Sequence, residues 1–322
     1  MEIDTSSPKM IPVLAVLGAV LLWGSAFAAM KHLVETLNPW AVMWLRTGIA
    51  TLVLTPFTAR LAGPVTKGRD RIALALMALF MPCLYFLFES YALTFTSATQ
   101  AGLVSASLPI MVAVGASIFF KERTSLWGWL GLALSIAGVA ALTLTGSPSP
   151  NALNPALGNM LELLAMACAA GYMLLVKRLS ASYGPWTLTA VQNAAGCLFF
   201  LPGLYMLLRD GMGENPLGLL FVAGYLGAFV TLGAFGMYNV GMSRLPAGKA
   251  SAFINLVPAV AAFFGWMVLG ETLTFTQMLA SGIIFAGVAL AQRGEHIRRD
   301  IHALAAYFGH AWQKKATVQV QK

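Results

Sequence analysis

Charge is what this chain of 322 residues has least of. Asp, Glu, Lys and Arg make up 10% of it, against about 25% in a typical soluble protein. So few charges cannot cover a water-facing surface, which excludes a pair of soluble domains. Cysteine is scarce too: Cys83, Cys168 and Cys197 each fall inside an apolar run, so neither a disulfide framework nor a CxxC metal motif can be built from them. Of the histidines (His32, His296, His302 and His310) only His32 lies near an apolar run. That excludes the clustered His/carboxylate set of a membrane metalloprotease. A GxxxxGK(S/T) phosphate loop is missing, so ATP is not the energy source, and no cofactor or metal is expected. The strict apolar/polar alternation of a membrane β-barrel is also missing.

What is present is apolar. Hydrophobic and aromatic residues make up 58% of the chain, and mean hydropathy is +0.76. A crossing needs about 20 such residues. Ten runs qualify, near 11–31, 40–59, 72–94, 98–120, 126–145, 157–176, 186–208, 217–242, 247–269 and 275–292. They predict an all-α polytopic membrane protein with ten transmembrane helices. Ala26-Phe27-Ala28 resembles a signal-peptidase site, but Glu2 and Asp4 oppose Lys9 before it, so the first run is expected to be retained.

The net charge of +8 is a matter of topology rather than nucleic-acid binding. With the N-terminus inside, seventeen of the 20 Lys and Arg lie on the same side; Lys31 and Arg209 lie on the other, and Arg46 is within a span. By the positive-inside rule both termini are expected in the cytoplasm, in a bacterial inner membrane. Beyond the last span, Ile297, Ile301, Leu304, Phe308 and Trp312 share one helical face, with Arg298, Arg299, Lys314 and Lys315 off it. This predicts an amphipathic cytoplasmic tail, residues 294–322, lying on anionic lipid.

The chain also repeats itself. Shifted by 149, Ser97-Ala98 through Pro109 overlies Pro246-Ala247 through Pro258, Glu122 meets Glu271, and Ala137-Gly138-Val139-Ala140 meets Ala286-Gly287-Val288-Ala289. For the first two spans of each half the shift is 146, bringing Lys31 onto Lys177 and Pro39-Trp40 onto Pro185-Trp186. Residues 1–146 and 147–293 are therefore expected to form two five-helix repeats. Five is odd, so the second copy must enter the membrane from the opposite side, as in many secondary transporters.

Trp23-Gly24-Ser25, Trp44-Leu45-Arg46, Thr96-Ser97-Ala98, the prolines of Ser107-Leu108-Pro109 and Leu256-Val257-Pro258, and Gly270-Glu271 together resemble the EamA domain of the drug/metabolite transporter superfamily. The resemblance covers about residues 12–292, twice over. It implies a central cavity lined by spans 1, 3, 4, 6, 8 and 9, with spans 5 and 10 peripheral. Within the family the chain is most similar to YddG-type amino-acid exporters. The helix-1 glutamate that small multidrug relatives use to exchange protons for cationic drugs has no counterpart between Ile11 and Lys31. The several basic residues that phosphate translocators and nucleotide-sugar carriers need at cavity depth reduce here to Arg46.

Candidate site residues follow from depth and chemistry. Pro109 and Pro258 sit mid-span at equivalent repeat positions, where each deprives a carbonyl (Ser105, Ile254) of its helical partner. Such breaks are tolerated where they line a cavity. Arg46, Glu89 and Glu162 are the ionisable residues within spans; each faces the protein interior or snorkels to the interface. Arg46 and Glu162 are candidate charge partners: Arg46 binds a carboxylate or pairs with Glu89. Trp23, Ser25, Tyr85, Glu89, Ser105, Ser107, Tyr172, Tyr238 and Asn255 are candidate substrate contacts, with Ala228, Thr231, Phe235 and Tyr238 expected as one stripe of span 8. Trp40, Trp186 and Trp266 fit an interfacial belt. Glu122 and Glu271 end helices just before good N-cap residues, and a structural role is expected for both. A central pocket of this kind suits a small amphipathic solute. Export of amino acids or similar small metabolites by a monomer is the expectation, with efflux of hydrophobic cations or drugs, or a non-transporting scaffold, as alternatives.

Overall fold

The computed structural model describes residues 10–61, 70–119, 126–146, 148–149, 152–238 and 253–290. The expected tail helix and Glu122 lie outside them. The helices are α1 (Met10–Val34), α2 (Pro39–Leu61), α3 (Arg71–Phe95), α4 (Ala98–Phe119) and α5 (Leu126–Leu144). They continue with α6 (Pro155–Leu179), α7 (Pro185–Phe199, then Pro202–Asp210), α8 (Pro216–Tyr238), α9 (Val257–Leu269) and α10 (Phe275–Leu290). Among the described residues, seven are long and apolar enough to cross a membrane, α7 is an eighth if its halves form one span, and α9 and α10 are shorter. All stand where the hydropathy places spans.

The helix starts are written in the sequence. α6, α7 and α8 open with proline in the first turn, where the missing N–H would have had no intrahelical partner. Asn154 and Asn215 cap α6 and α8 by accepting from Leu157 N at 3.2 Å and Gly218 N at 3.0 Å, and Ser97 caps α4 by accepting from Gln100 N at 3.1 Å.

Five spans depart from a continuous α-helix, two of them at the prolines where breaks were expected. α3 is non-helical at Met81 (φ −143°, ψ 122°), next to Pro82. α7 bends by 51° between Phe199 and Pro202. α4 tightens to a 3₁₀ turn at Ser105–Ser107, just ahead of Pro109, and the equivalent stretch before Pro258 leaves the helix at Asn255 and Leu256. α8 widens to a π-helix over Tyr225–Gly233. Extra residues per turn shift the face of α8, so the expected Ala228/Thr231/Phe235/Tyr238 stripe does not form as a unit.

The two repeats run in opposite senses. Lys31, near the C-terminal end of α1, donates through Nζ to Leu93 O (2.8 Å) and Thr96 O (3.2 Å) at the end of α3. Asn154 N, at the start of α6, donates to Phe95 O at 2.9 Å. The end of α1 and the beginning of its repeat counterpart α6 thus meet at one end of the bundle, the Lys31 end. Packing follows the same symmetry: α1 lies along α9 and against α8, as α6 lies along α4 and against α3. α2 with α7, α4 with α9, and α5 with α10 pair helices that the repeat makes equivalent. Small residues permit these approaches: a Cβ on Gly24 would lie 2.5 Å from Val260 Cβ, and one on Gly138 2.7 Å from Ile284 N.

Candidate functional site

Where the repeats meet, α1, α2, α3, α4, α6, α8 and α9 enclose a cavity of about 170 Å³. Its wall is mostly apolar and aromatic. Of the expected site residues it holds Trp23, Arg46, Tyr85, Glu89, Ser105, Pro109, Tyr172, Tyr238, Asn255 and Pro258. None of its lining belongs to α5 or α10.

Trp23 of the first repeat meets Phe235 edge-on (centroids 5.5 Å apart) and Tyr238 at 5.4 Å, both from the second. The two halves therefore share one aromatic wall. Across from it, Glu89 Oε1 accepts from Tyr85 OH at 2.6 Å and Oε2 faces Arg46 Nη1 at 3.5 Å. The guanidinium also donates from Nε to Thr231 Oγ1 (3.1 Å) and lies 4.0 Å over the Phe86 ring. Snorkelling is not what these side chains do: Arg46 and Glu89 are each 6% exposed and Glu162 not at all. For Arg46 and Glu89 the physical reason is pairing, since a charge that finds its opposite inside the bundle need not reach for the interface.

The proline breaks supply polar backbone, and the surrounding side chains largely meet it. Gln192 Nε2 donates to Met81 O (3.2 Å), and its Oε1 accepts from Tyr172 OH (3.3 Å). Ser105 Oγ donates to Gly102 O at 2.6 Å, so this serine serves its own helix as well as the cavity wall.

Three expected residues lie elsewhere. Ser25 faces an almost wholly apolar depression of about 280 Å³ between α1, α8 and α9, where its Oγ is 2.6 Å from Tyr225 OH. Ser107 and Glu162 are fully buried and do not line the cavity. Ser107 falls in the 3₁₀ turn ahead of Pro109, where the face departs from the regular period, whereas Ser25 and Glu162 sit on uninterrupted α-helices and lie off the cavity face. Thr231 is a related case: it is spent on Arg46 and on Leu226 O (2.8 Å), while Val230 takes the cavity wall. Sequence reasoning missed Met81, Phe27, Met166 and Met173 on the wall, and Gln192 behind it. Pro82 and the amide pair Gln192-Asn193 in an apolar run were legible signals for two of these. Of the expected belt tryptophans, Trp186 (39% exposed) and Trp266 (61%) are open, whereas Trp40 stacks on Phe199 at 5.6 Å. Among the described residues no group of His, Cys, Asp and Glu could hold a metal ion.

Inverted five-helix repeats around a cavity at their interface define the architecture of a secondary transporter. Comparison with known proteins points the same way. The EamA-like transporter family matches residues 10–144 and again 156–292. An uncharacterized transporter of Archaeoglobus fulgidus is 28% identical over 275 residues, covering 85% of this chain and 96% of its own. The uncharacterized transporter YetK of Bacillus subtilis is 25% identical, with 84% and 83% covered. A probable terminal-alkyne amino-acid exporter of Streptantibioticus cattleyicolor is 24% identical, with 87% and 93% covered. A solved crystal structure shares the fold at TM-score 0.58 and 17% identity, spanning 90% of this chain and 99% of that one. The chain belongs to the EamA-like transporter family of the drug/metabolite transporter superfamily. It is a multi-pass membrane transporter and not an enzyme.

Proposed function

We propose that this transporter exports small metabolites, amino acids foremost and neutral or aromatic ones among them, by alternating access, its repeats 1–146 and 147–293 rocking about the central cavity. It works as a monomer in a bacterial inner membrane, with both termini in the cytoplasm.

The observation that carries the choice of solute is the Arg46–Glu89 pair, 3.5 Å apart at the edge of an aromatic cavity. A zwitterion can insert itself into such a pair, its carboxylate meeting Arg46 and its ammonium meeting Glu89, without changing the net charge of the site. A hydrophobic cation would capture Glu89 and leave Arg46 buried without its partner, which is costly. That consideration disfavours drug efflux although the aromatic wall would suit it. The likeness to a probable terminal-alkyne amino-acid exporter supports the same choice. Trp23, Phe235 and Tyr238 would take the solute's side chain, and Tyr85, Tyr172, Ser105 and Asn255 its polar groups. Pro109 and Pro258 hold open the breaks in α4 and beside α9 that give the wall its polar backbone.

The test is counterflow of labelled L-phenylalanine into proteoliposomes of the full chain, beside a quaternary-ammonium dye. Phenylalanine exchange without dye exchange is expected, and Glu89→Gln should abolish it. Dye exchange without phenylalanine exchange would replace the proposal with cation efflux, and exchange of neither would remove the transport reading of the cavity.

A further inference from the structure

Glu162 is the ionisable side chain that the zwitterion site leaves unused. It lies in α6 with no exposure at all, and neither carboxyl oxygen has a hydrogen-bond partner. One turn away the same helix is fully served: Asn159 accepts from Thr96 Oγ1 (2.9 Å) and donates to Gln100 Oε1 (3.1 Å) and Thr143 Oγ1 (3.2 Å). The fold can satisfy a buried polar group at this depth, and among the carboxyl groups of the described residues Glu162 is the one whose two oxygens are both buried and unpartnered.

Its position is specific too. Arg46, Glu89 and Glu162 each lie about six or seven residues from the helix terminus at the Lys31 end, roughly 10 Å down at 1.5 Å per residue. They form one ionisable level of the bundle. It holds one cation and two carboxyls, and the cation is committed to Glu89. On the elements packed against α6, the groups that act electrostatically with Glu162 are Glu89 and Tyr85 of α3. α4 and α5 carry no titratable side chain, α3 adds Arg71, Cys83 and Tyr91, and α6 itself adds Cys168, Tyr172, Lys177 and Arg178. Among the described residues no second cation stands on this level for Glu162. A lone carboxylate so placed is far more costly than the neutral acid. Met166, one turn along the same face of α6, is cavity wall, so Glu162 lies one helical turn from the solute site.

We propose that Glu162 carries the proton that couples solute export to the proton gradient, one proton inward for each solute outward. The inference rests on the zwitterion reading above. In the described conformation the acid has no exposure. When the α3–α6 seam opens to the cytoplasm, water reaches the carboxyl and it loses its proton to that side; the zwitterion adds no net charge, so the loaded level carries one negative charge outward and the protonated level returns neutral. When the seam opens outward the solute leaves, and a proton from the external solution restores the neutral acid. The proton leaves and returns to the same oxygen pair, and no redox or covalent change is needed.

Two measurements test this. In proteoliposomes of the full chain, with the membrane potential clamped by potassium and valinomycin, an external pH one unit below the internal should lower internal labelled phenylalanine to about one tenth of external, the ratio set by 1:1 exchange. In Glu162→Gln the ratio should stay at one, while counterflow, which needs no net proton movement, persists at a reduced rate. A wild type that exchanges phenylalanine but ignores the gradient overturns the inference and leaves the solute reading intact. If no phenylalanine moves at all, the solute reading fails, and infrared spectroscopy of the purified protein decides the inference on its own. A carboxylic-acid carbonyl band at neutral pH should be lost in Glu162→Gln, retained in Glu89→Gln and shifted in Glu162→Asp. The Asp variant serves also if the Gln variant does not fold; a band indifferent to position 162 overturns the inference.

Discussion

Glu271 of the second repeat caps a helix of the first: its two carboxylate oxygens accept from the backbone amides of Ala98 and Thr99, each at 2.8 Å. The acceptor is 7% exposed, so these are buried, charge-assisted bonds at the positive end of α4. On the other side of the same turn, the Lys31 ammonium donates to the last carbonyls of α3. The Thr96-Ser97 turn is thus gripped by an acid where N–H groups are unsatisfied and by a base where carbonyls are, and the two grips come from different repeats.

Glu271→Ala should lower stability by about 1–2 kcal/mol, the usual range for a lost N-cap. Thermal unfolding in detergent measures it as a fall in Tm of a few degrees, with Glu271→Asp losing less. An unchanged Tm would show that the cap contributes nothing.

How far the sequence foretold this is instructive in physical terms. A structural role for Glu271 was expected from its place between a helix end and good capping residues, but at its own helix; the partner it serves is about 170 positions away, and no local signal marks a contact of that range. The spans and the inverted repeat were legible because hydropathy, loop charge and a repeated spacing are properties of the chain itself. Pro109 and Pro258 announced their breaks for the same reason. The face of α8 was not legible: its π-helix rotates the residues beyond it, which is how Thr231 came to hold Arg46 while Val230 took the wall. Whether Arg46 would bind solute or pair with Glu89 stayed open because the pairing joins α2 to α3 through side chains whose depths, not their spacing, coincide.

For that pair, Arg46→Met alone should cost about 3–5 kcal/mol, because it strands a buried carboxylate. Adding Glu89→Met should recover much of the loss, although the double variant will not transport. A double-mutant cycle of unfolding free energies reads the coupling directly. Additive penalties would mean that the two side chains, although 3.5 Å apart, do not depend on each other.

The aromatic wall should choose among solutes. Trp23→Ala removes the ring that touches both Phe235 and Tyr238, and with it roughly 1–2 kcal/mol of contact with an apolar or aromatic solute side chain. The KM for labelled phenylalanine should rise about tenfold, while that for alanine, which has little to lay against the ring, should change much less. Equal effects on both would move Trp23 from solute contact to support of the wall.

The orientation of the bundle can be read with single cysteines in a background where Cys83, Cys168 and Cys197 are replaced. Glu35, 44% exposed, marks the Lys31 end; Ser182, exposed in the turn after α6, marks the opposite end. If the excess of Lys and Arg in the loops sets the topology, Glu35→Cys should react with a membrane-impermeant maleimide in intact cells and Ser182→Cys only after lysis. The consequence reaches the transport cycle. With Glu35 outside, the turn gripped by Lys31 and Glu271 closes the external end of the bundle, and the level of Arg46, Glu89 and Glu162 lies in the external half of the membrane. A proton entering from outside then has only about 10 Å of protein to cross. The reverse labelling pattern would put that level on the cytoplasmic half, and export driven by the gradient would have to work with its proton site at the far end of the path.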